Sequence, residues 1–476
     1  MVNSLASQMQ NIVGPNNVVT DEQVLKRQAS DYVGYRLWER FNGQHLTKTS
    51  NCIVKVQSTE QVSEVLKYLN EHKISTIPVT GNSSCTGSIE PIEDVSVVVD
   101  GSAMNKIIKL DEKNMIVTVQ SGVGLADLEK YLNEKGYTTG HYPQSLPMAR
   151  IGGLLATRST GQFSTLYGGI EDMVVGLEAV LPNGEIVRIK NVPRRAIGPD
   201  IRQLFIGSEG TYAYITEASL KLFKYNPDNY WKMAYGVKDM QQGLELIREV
   251  MIEGYKPAVV RLHDELEAAA EHYKGYVQEG ESLLLFIADG PQELTEATGR
   301  AIERIAAKHK ARIIGPELLD TWLKVRNHLC DIIDQLPANQ QGLVADTSEV
   351  SANWSEVSEL YVAVKQRIEQ EIENIAYVTA HSSHSYTQGT NLYFMFGFKA
   401  YEDYDKSRAE YMKLLGIIME ETLKVGGSIA HHHGCGKYRS GWTKEEYGSS
   451  YQVMRAIKDT FDPNGVMNAG TLFPVS

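Results

Sequence analysis

The chain is poor in cysteine, with four in 476 residues (Cys52, Cys85, Cys330 and Cys435), far apart and without a CxxC pair. That spacing excludes a disulfide framework, offers no structural zinc site and points to a reducing cytoplasm. Positive charge is also in deficit, 47 Lys plus Arg against 59 Asp plus Glu, for a net charge of −12. Such a surface repels a phosphate backbone, so nucleic acid is not an expected partner. No window approaches 18 uninterrupted apolar residues, and the opening MVNSLASQMQNIVGPNN lacks a basic stretch followed by an apolar core. The chain is therefore expected to be neither exported nor membrane-spanning. Repeats, low-complexity tracts, GxxxxGK[ST] and a strand-coupled GxGxxG are all missing. Solenoids, propellers, P-loop sites and Rossmann sites drop out with them.

What is present is an ordinary globular mixture, 42% hydrophobic and 22% charged, long enough for two or three domains. Residues 1–50 read as a helical arm, in which Thr20 to Gln23 (TDEQ) predicts a capping box. From Cys52 a strand, a helix with Val62, Val65, Leu66 and Leu69 on one face, and the strand ISTIPV predict a β-α-β opening. LEAVLPNGEIVRI reads as a hairpin turned by Pro182-Asn183-Gly184. Beyond residue 225 long amphipathic helices alternate with strands such as LLLFIAD and NLYFMFGF, which predicts a second α+β unit with a helix-covered sheet.

Three segments have the texture of a ligand site. In PVTGNSS (78–84) small residues let backbone N–H groups approach an anion, although a polar surface loop reads the same way. HYPQSL (141–146), Ile151-Gly152-Gly153 and RSTG (158–161) crowd small polar residues into a span that suits a large polar cofactor lying along backbone. GSEGT (207–211) is a third glycine-bracketed turn. The run His431-His432-His433-Gly434 is the fourth feature; neighbouring side chains alternate or fan out, so the three are not expected to share a metal, and no metal is expected. On the residues alone its histidines cap or pack a strand end. Tyr393 alone reads as one aromatic of a buried strand, Arg326 as a charge on a helix face, and Arg261 as an ion pair with Asp264.

The order of PVTGNSS, HYPQSLPMARIGG, RSTGQFSTLYG, IEDMVVGLEAVLPNG, VPRRAIGPD and GSEGT resembles the FAD-binding domain of the vanillyl-alcohol oxidase and p-cresol methylhydroxylase (PCMH) superfamily. Within it, the alkyldihydroxyacetonephosphate synthase family and its bacterial relatives are most similar, from about residue 50 to 476. The resemblance implies an α+β fold: a PCMH-type FAD-binding domain of two subdomains over 51–225, an α+β cap over 226–425, and a C-terminal segment, 426–476, that returns to the flavin. It implies FAD with Thr80, Gly81, Asn82, Ser83 and Ser84 at the pyrophosphate and Gln144 and Ser145 near the ribityl chain. Ile151, Gly152, Gly153, Arg158, Thr160 and Gly161 would line the cofactor path, and Glu209, Gly210 and Ile215 the adenosine end. Thr80 to Ser88 contains no histidine, so the FAD is expected to be non-covalent, with Cys85 the nearest thiol. The family further implies an acid/base role for Tyr393, a proton shuttle or anion donor at His432 or His433, and a substrate anion held by Arg326, ranked ahead of Arg261. The sequence departs from the family at Thr80-Gly81-Asn82, more often three glycines, and at GSEGTYAYIT, usually GSEGTLGVIT. The HGDGNxH cluster of metal-assisted relatives has no counterpart. The expected function is a homodimeric FAD-dependent dehydrogenase or oxidase that takes a hydride from a hydroxylated or phosphorylated small molecule and passes electrons to an acceptor. The alternative is a synthase that exchanges an acyl group for a fatty alcohol.

Overall fold

The computed structural model of the chain describes residues 2–44, 46, 48–333 and 342–475. Helix Thr59–Glu71 starts at Ser58, whose hydroxyl accepts the Gln61 N–H. Its buried stripe of Val62, Val65, Leu66 and Leu69 covers three parallel strands, Cys52–Lys55, Ser96–Asp100 and Ser75–Val79. Val18–Val19 adds an antiparallel edge strand to that sheet. A second sheet, antiparallel throughout, orders Ile107–Asp111, Ile116–Gln120, Tyr214–Lys221, Val174–Val180 and Ile186–Ile189. The last two are joined by the expected hairpin, in which Gly184 takes a left-handed φ of 87°.

The third sheet has seven antiparallel strands in the order Arg312–Gly315, Trp231–Val237, Ser282–Ala288, Val259–His263, Ile375–Ser382, Gly389–Lys399 and Leu343–Asn353. Helices Met240–Ile252, Gln292–Lys308, Val357–Glu371 and Tyr404–Lys424 pack on one face, where Leu392, Phe394, Phe396 and Phe398 are fully buried. Because side chains alternate along a strand, Tyr393 and Met395 point to the other face, which meets the first two sheets. The fold is thus mixed helix and sheet, as expected.

The expected N-terminal helical arm is three separate helices among the described residues, Val2–Val13, Glu22–Arg27 and Gly34–Phe41. Asp21, not Thr20, caps helix Glu22–Arg27 by accepting the Val24 N–H at 3.0 Å. The chain then breaks at Asp31, whose buried carboxylate accepts N–H bonds from Val33, Thr86, Gly87 and Ser88. Helix Gly34–Phe41 follows and packs on strand Leu343–Asn353. A Cβ on Gly34 would lie 2.0 Å from the Ala345 carbonyl, so only glycine fits there. The N-terminal residues therefore tie the first sheet to the seven-stranded one. At the other end of the chain Met467 bridges to Thr76 and the Asn468 N–H donates to the Thr76 carbonyl at 2.8 Å, which brings the C-terminal segment beside the 80–84 loop.

Asp31→Ala leaves the buried N–H groups of Thr86, Gly87 and Ser88 without their acceptor, at a cost of about 1–3 kcal/mol. The urea midpoint is expected to fall and FAD to bind more weakly; an unchanged midpoint would show that Asp31 does not hold this loop.

Candidate active site

A cavity of about 440 Å³ opens where the three sheets meet. Thr80, Gly81, Asn82, Ser83 and Ser84 line one side. A Cβ on Gly81 would sit 3.0 Å from the Arg150 nitrogen, so this loop touches the 148–150 backbone directly, and Asn82 bends it with a φ of 50°. Gly210 has the same use: a Cβ there would lie 2.4 Å from Pro78 Cγ, which presses GSEGT against PVTGNSS. Thr80 Oγ1 and Asn82 Oδ1 are buried and have no hydrogen-bond partner among the described residues. A buried hydroxyl and amide oxygen left unpaired in a loop that lines a cavity offer a donor and an acceptor to a polar cofactor. The loop therefore fits the pyrophosphate end of FAD.

The facing wall is the bare face of the seven-stranded sheet. Strand register sets Glu349 opposite Tyr393, Tyr393 opposite His381, and His381 opposite His263. Four polar side chains therefore stand in one row across four strands. The Tyr393 ring stacks on His381 with centroids 4.5 Å apart, and its hydroxyl donates to Thr347 Oγ1 at 3.2 Å. Burial pushes the Tyr393 phenol above its ordinary pKa, so it stays un-ionised.

Glu349 ends the row, fully buried. It accepts from both terminal nitrogens of Arg439 at 3.0 and 3.1 Å and from the His432 and His433 backbone N–H groups, and it forms an ion pair with His433 Nδ1 at 2.6 Å. Burial alone would raise the carboxyl's pKa; the Arg439 and His433 charges outweigh it and hold Glu349 well below the carboxylate range. Burial would likewise lower His433, but Cys85 and Glu349 beside it keep the imidazole protonated. At His431, His432 and His384 burial prevails, over the pull of Glu349 on the first two, and keeps the rings neutral.

Two of the three consecutive histidines converge, while the third, His433, turns to Glu349. Residues 431–433 form a bend instead of a strand end, and His431 Nδ1 meets His432 Nδ1 at 2.8 Å. These two rings converge with His384 so that ligand atoms lie within 4.8 Å of one another. One of the two Nδ1 atoms donates to the other, while His431 Nε2 bonds the Tyr386 hydroxyl at 2.8 Å and His384 Nδ1 bonds Ser164 at 2.7 Å.

Of the residues singled out by sequence, the 80–84 loop, Gln144, Ser145, Gly152, Gly153, Thr160, Glu209, Gly210, Ile215, Tyr393, His432 and His433 line the cavity. Four do not. Ile151 is fully buried in the core of the second sheet. Gly161 packs on backbone, where a Cβ would lie 2.5 Å from the Tyr142 nitrogen. Arg158 turns to solvent, 56% exposed, and pairs with Glu171 at 3.2 Å. Arg326 lies over the rings of Tyr142 and Phe163 and donates to Gln162 Oε1 at 3.0 Å, while Arg261, ranked below it, lines the cavity. The Glu209 carboxylate, raised by burial to about 7, is engaged by the N–H groups of Cys435 and Gly436. Sequence reasoning passed over Glu349, Glu267 and His381. The one local signal was a glutamate inside the otherwise strand-like TSEVSAN.

Glu349→Gln strands the Arg439 guanidinium and the His433 imidazolium, at a cost of about 3–5 kcal/mol. The depressed Glu349 pKa contributes stability present above about pH 4.3 and lost as pH falls through its folded value; the raised His433 pKa contributes stability present below about pH 6.5 and lost as pH rises through its folded value. The stability difference between wild type and variant, from urea midpoints, is therefore expected to peak between those two limits, and a flat difference would refute the pairing.

Residues 50–190 match the FAD binding domain family, and residues 232–472 match the C-terminal domain of FAD linked oxidases. The chain is 45% identical to YgcU, an uncharacterized FAD-linked oxidoreductase of Escherichia coli (strain K12), over 99% of this chain and 98% of that one. It is 29% identical to the alkyldihydroxyacetonephosphate synthase of Dictyostelium discoideum and 29% identical to the mitochondrial D-lactate dehydrogenase (cytochrome) of Arabidopsis thaliana, in each case over 89% of this chain and 73% of the relative. A solved alkyldihydroxyacetonephosphate synthase superposes with a TM-score of 0.81 at 24% identity, covering 98% of this chain and 84% of that one. Substrate-bound p-cresol methylhydroxylase gives 0.78 at 18% identity, covering 99% and 97%. With an unpaired polar loop on one side of its cavity and a row of ionisable groups on the other, the chain belongs to the FAD-linked oxidases.

Proposed function

We propose that this FAD-linked oxidoreductase is a dehydrogenase or oxidase of a hydroxylated, anionic small molecule. The observation that carries the reading is the joining, in one cavity, of the pyrophosphate-type loop to a wall holding Arg261, Tyr393, His381, His432 and His433. FAD, when bound, accepts a hydride from the substrate carbon. On the protein side, Arg261 supplies a fixed cation for a carboxylate or phosphate. It takes the anchoring role expected of Arg326, whose guanidinium is occupied by Gln162 and two aromatic rings. Un-ionised Tyr393 donates its single O–H to the substrate oxygen by turning it away from Thr347 Oγ1, and a neutral imidazole of the same wall takes the hydroxyl proton. The D-lactate dehydrogenase among the relatives supports a 2-hydroxy acid as substrate. Four free cysteines support a reducing compartment, and no helix among the described residues is long and apolar enough to cross a membrane.

One observation favours the synthase as a second reading: Leu37, Ile89 and Met395 line part of the same cavity and would accept an alkyl chain. Anaerobic mixing with D-lactate, glycolate and longer 2-hydroxy acids is expected to bleach the flavin spectrum. If none does so while acyl-dihydroxyacetone phosphate and a fatty alcohol yield an ether, the synthase reading replaces the first. Against the bleaching substrate, Arg261→Ala should raise KM about 30-fold or more, the equivalent of about 2 kcal/mol, and Arg326→Ala should raise it less. Acid precipitation should release the flavin; retention would reveal a covalent link, for which Cys85 is the cavity thiol to examine.

A further inference from the structure

The polar row ends, away from Glu349, at a second buried carboxylate. Glu267 lies in the turn Glu265–Ala268, capped by Asp264, and its two oxygens receive His263 Nδ1 at 2.7 Å and His381 Nδ1 at 2.9 Å. Burial would raise its pKa, but the two imidazoles outweigh that and keep it ionised. A carboxylate can only accept, so both histidines carry their hydrogen on Nδ1. The longer 3.3 Å approach of Arg261 to His381 Nδ1 is the weaker contact. His263 Nε2 accepts from Arg261 Nε at 3.0 Å and from the Tyr273 hydroxyl at 3.3 Å. His381 Nε2 has no hydrogen-bond partner among the described residues, although the residue lines the cavity beside Tyr393.

The same three groups have the spacing of a metal site, with ligand atoms within 4.8 Å of one another. The guanidinium of Arg261, 3.0 Å from His263 and 3.3 Å from His381, already occupies the position of a cation. What remains is a carboxylate behind an imidazole whose far nitrogen carries a lone pair.

We infer that His381 is the proton acceptor of this pocket and Glu267 its positioning residue. The inference rests on the functional reading above and names the group that serves it. The substrate O–H bond breaks, its proton goes to His381 Nε2, and the electron pair of the C–H bond leaves as the hydride already assigned to FAD. The imidazolium so formed is neutralised by Glu267 at 2.9 Å. Two other neutral imidazoles stand on the wall: His384 has no carboxylate bonded to its ring, and neither has His432. The His432 ring lies 4.4 Å from protonated His433, so a proton there would place two like charges in contact. His433 already holds a proton against Glu349 and cannot accept another.

His381→Gln and Glu267→Gln, each checked for FAD content and thermal melting, should be compared with wild type in anaerobic flavin bleaching by the substrate found above. His381→Gln is expected to slow bleaching about 100-fold or more while substrate affinity, read from the flavin spectral shift, stays within about threefold. Glu267→Gln should slow it less and move the pH profile of the bleaching rate, since the groups facing His381 are Glu267, Arg261, His263 and Tyr393. Bleaching by His381→Gln within about threefold of wild type would overturn the inference. A second measurement needs no turnover: diethyl pyrocarbonate attacks unprotonated, accessible imidazole nitrogen, so mass mapping of the wild-type holoenzyme should find His381 labelled ahead of His432. Label at His432 with His381 untouched overturns the inference even if either variant fails to fold. If no hydroxy compound bleaches the flavin but His381 is labelled, the functional reading fails while the free Nε2 stands.

Discussion

Strand register is the constraint on which both the core and the site depend. Across Val259–His263, Ile375–Ser382, Gly389–Lys399 and Leu343–Asn353, pairing fixes which side chains are neighbours, and alternation fixes which face they take. Sliding Gly389–Lys399 by one residue would turn Tyr393 into the helix-covered core and expose Phe394, Phe396 and Phe398 to the cavity. Burying the phenol away from its partner and exposing three aromatic rings would both cost free energy, so the packing that stabilises the sheet also holds the chemical row in place. The precision of the site is thus a by-product of the hydrophobic core on the far side of the same strands.

The two ends of the row show how one pair of residue types is set to opposite states. Each end has a buried glutamate and an arginine, yet His433 is held protonated and His381 is held neutral. At Glu349, Arg439 lies on the carboxylate, and the imidazole faces that anion and Cys85. At Glu267 one carboxylate is shared by two imidazoles, and Arg261 contacts those imidazoles more closely than it contacts the acid, 3.0 and 3.3 Å against 3.6 Å. The guanidinium therefore disfavours a second positive charge at His381. A pocket with a resident proton at one end and a vacant lone pair at the other can bind an anion and take a proton in the same substrate complex.

Much of this was legible locally. The alternation in NLYFMFGF, the hairpin at Pro182-Asn183-Gly184 and the small-residue loop at 80–84 are written in consecutive residues, and each appears in the structure as strand, turn and cavity wall. What was hidden depends on pairing between distant segments. His381 sits two positions before Ser383, in a strand whose partners begin at Val259 and Gly389, and nothing in its neighbours reports the glutamate behind it. Arg261 and Arg326 could not be ranked without knowing which helix ends over Tyr142 and Phe163. The histidine run does not converge on one point, as expected, but its residues form a bend, so the pairing of His431 with His432 and His384 was not visible from strand or helix geometry.

The cofactor loop is held from both ends of the chain. Asp31 binds the Thr86 to Ser88 backbone from the N-terminal side, and Arg36 pairs with Glu90 at 2.9 Å. From the C-terminal side Lys437 Nζ donates to the Ser88 carbonyl and to Asn468, and Glu209 in the second glycine turn accepts from Cys435 and Gly436. None of these groups needs to touch a ligand of the cavity to matter to it, because each fixes backbone of the loop that lines the cavity. A ligand that binds the assembled loop and not the released one adds its binding free energy to the stability of the contacts that assemble the loop. Loosening either end of the chain therefore lowers the fraction of molecules in which the loop and the polar row face each other across one cavity.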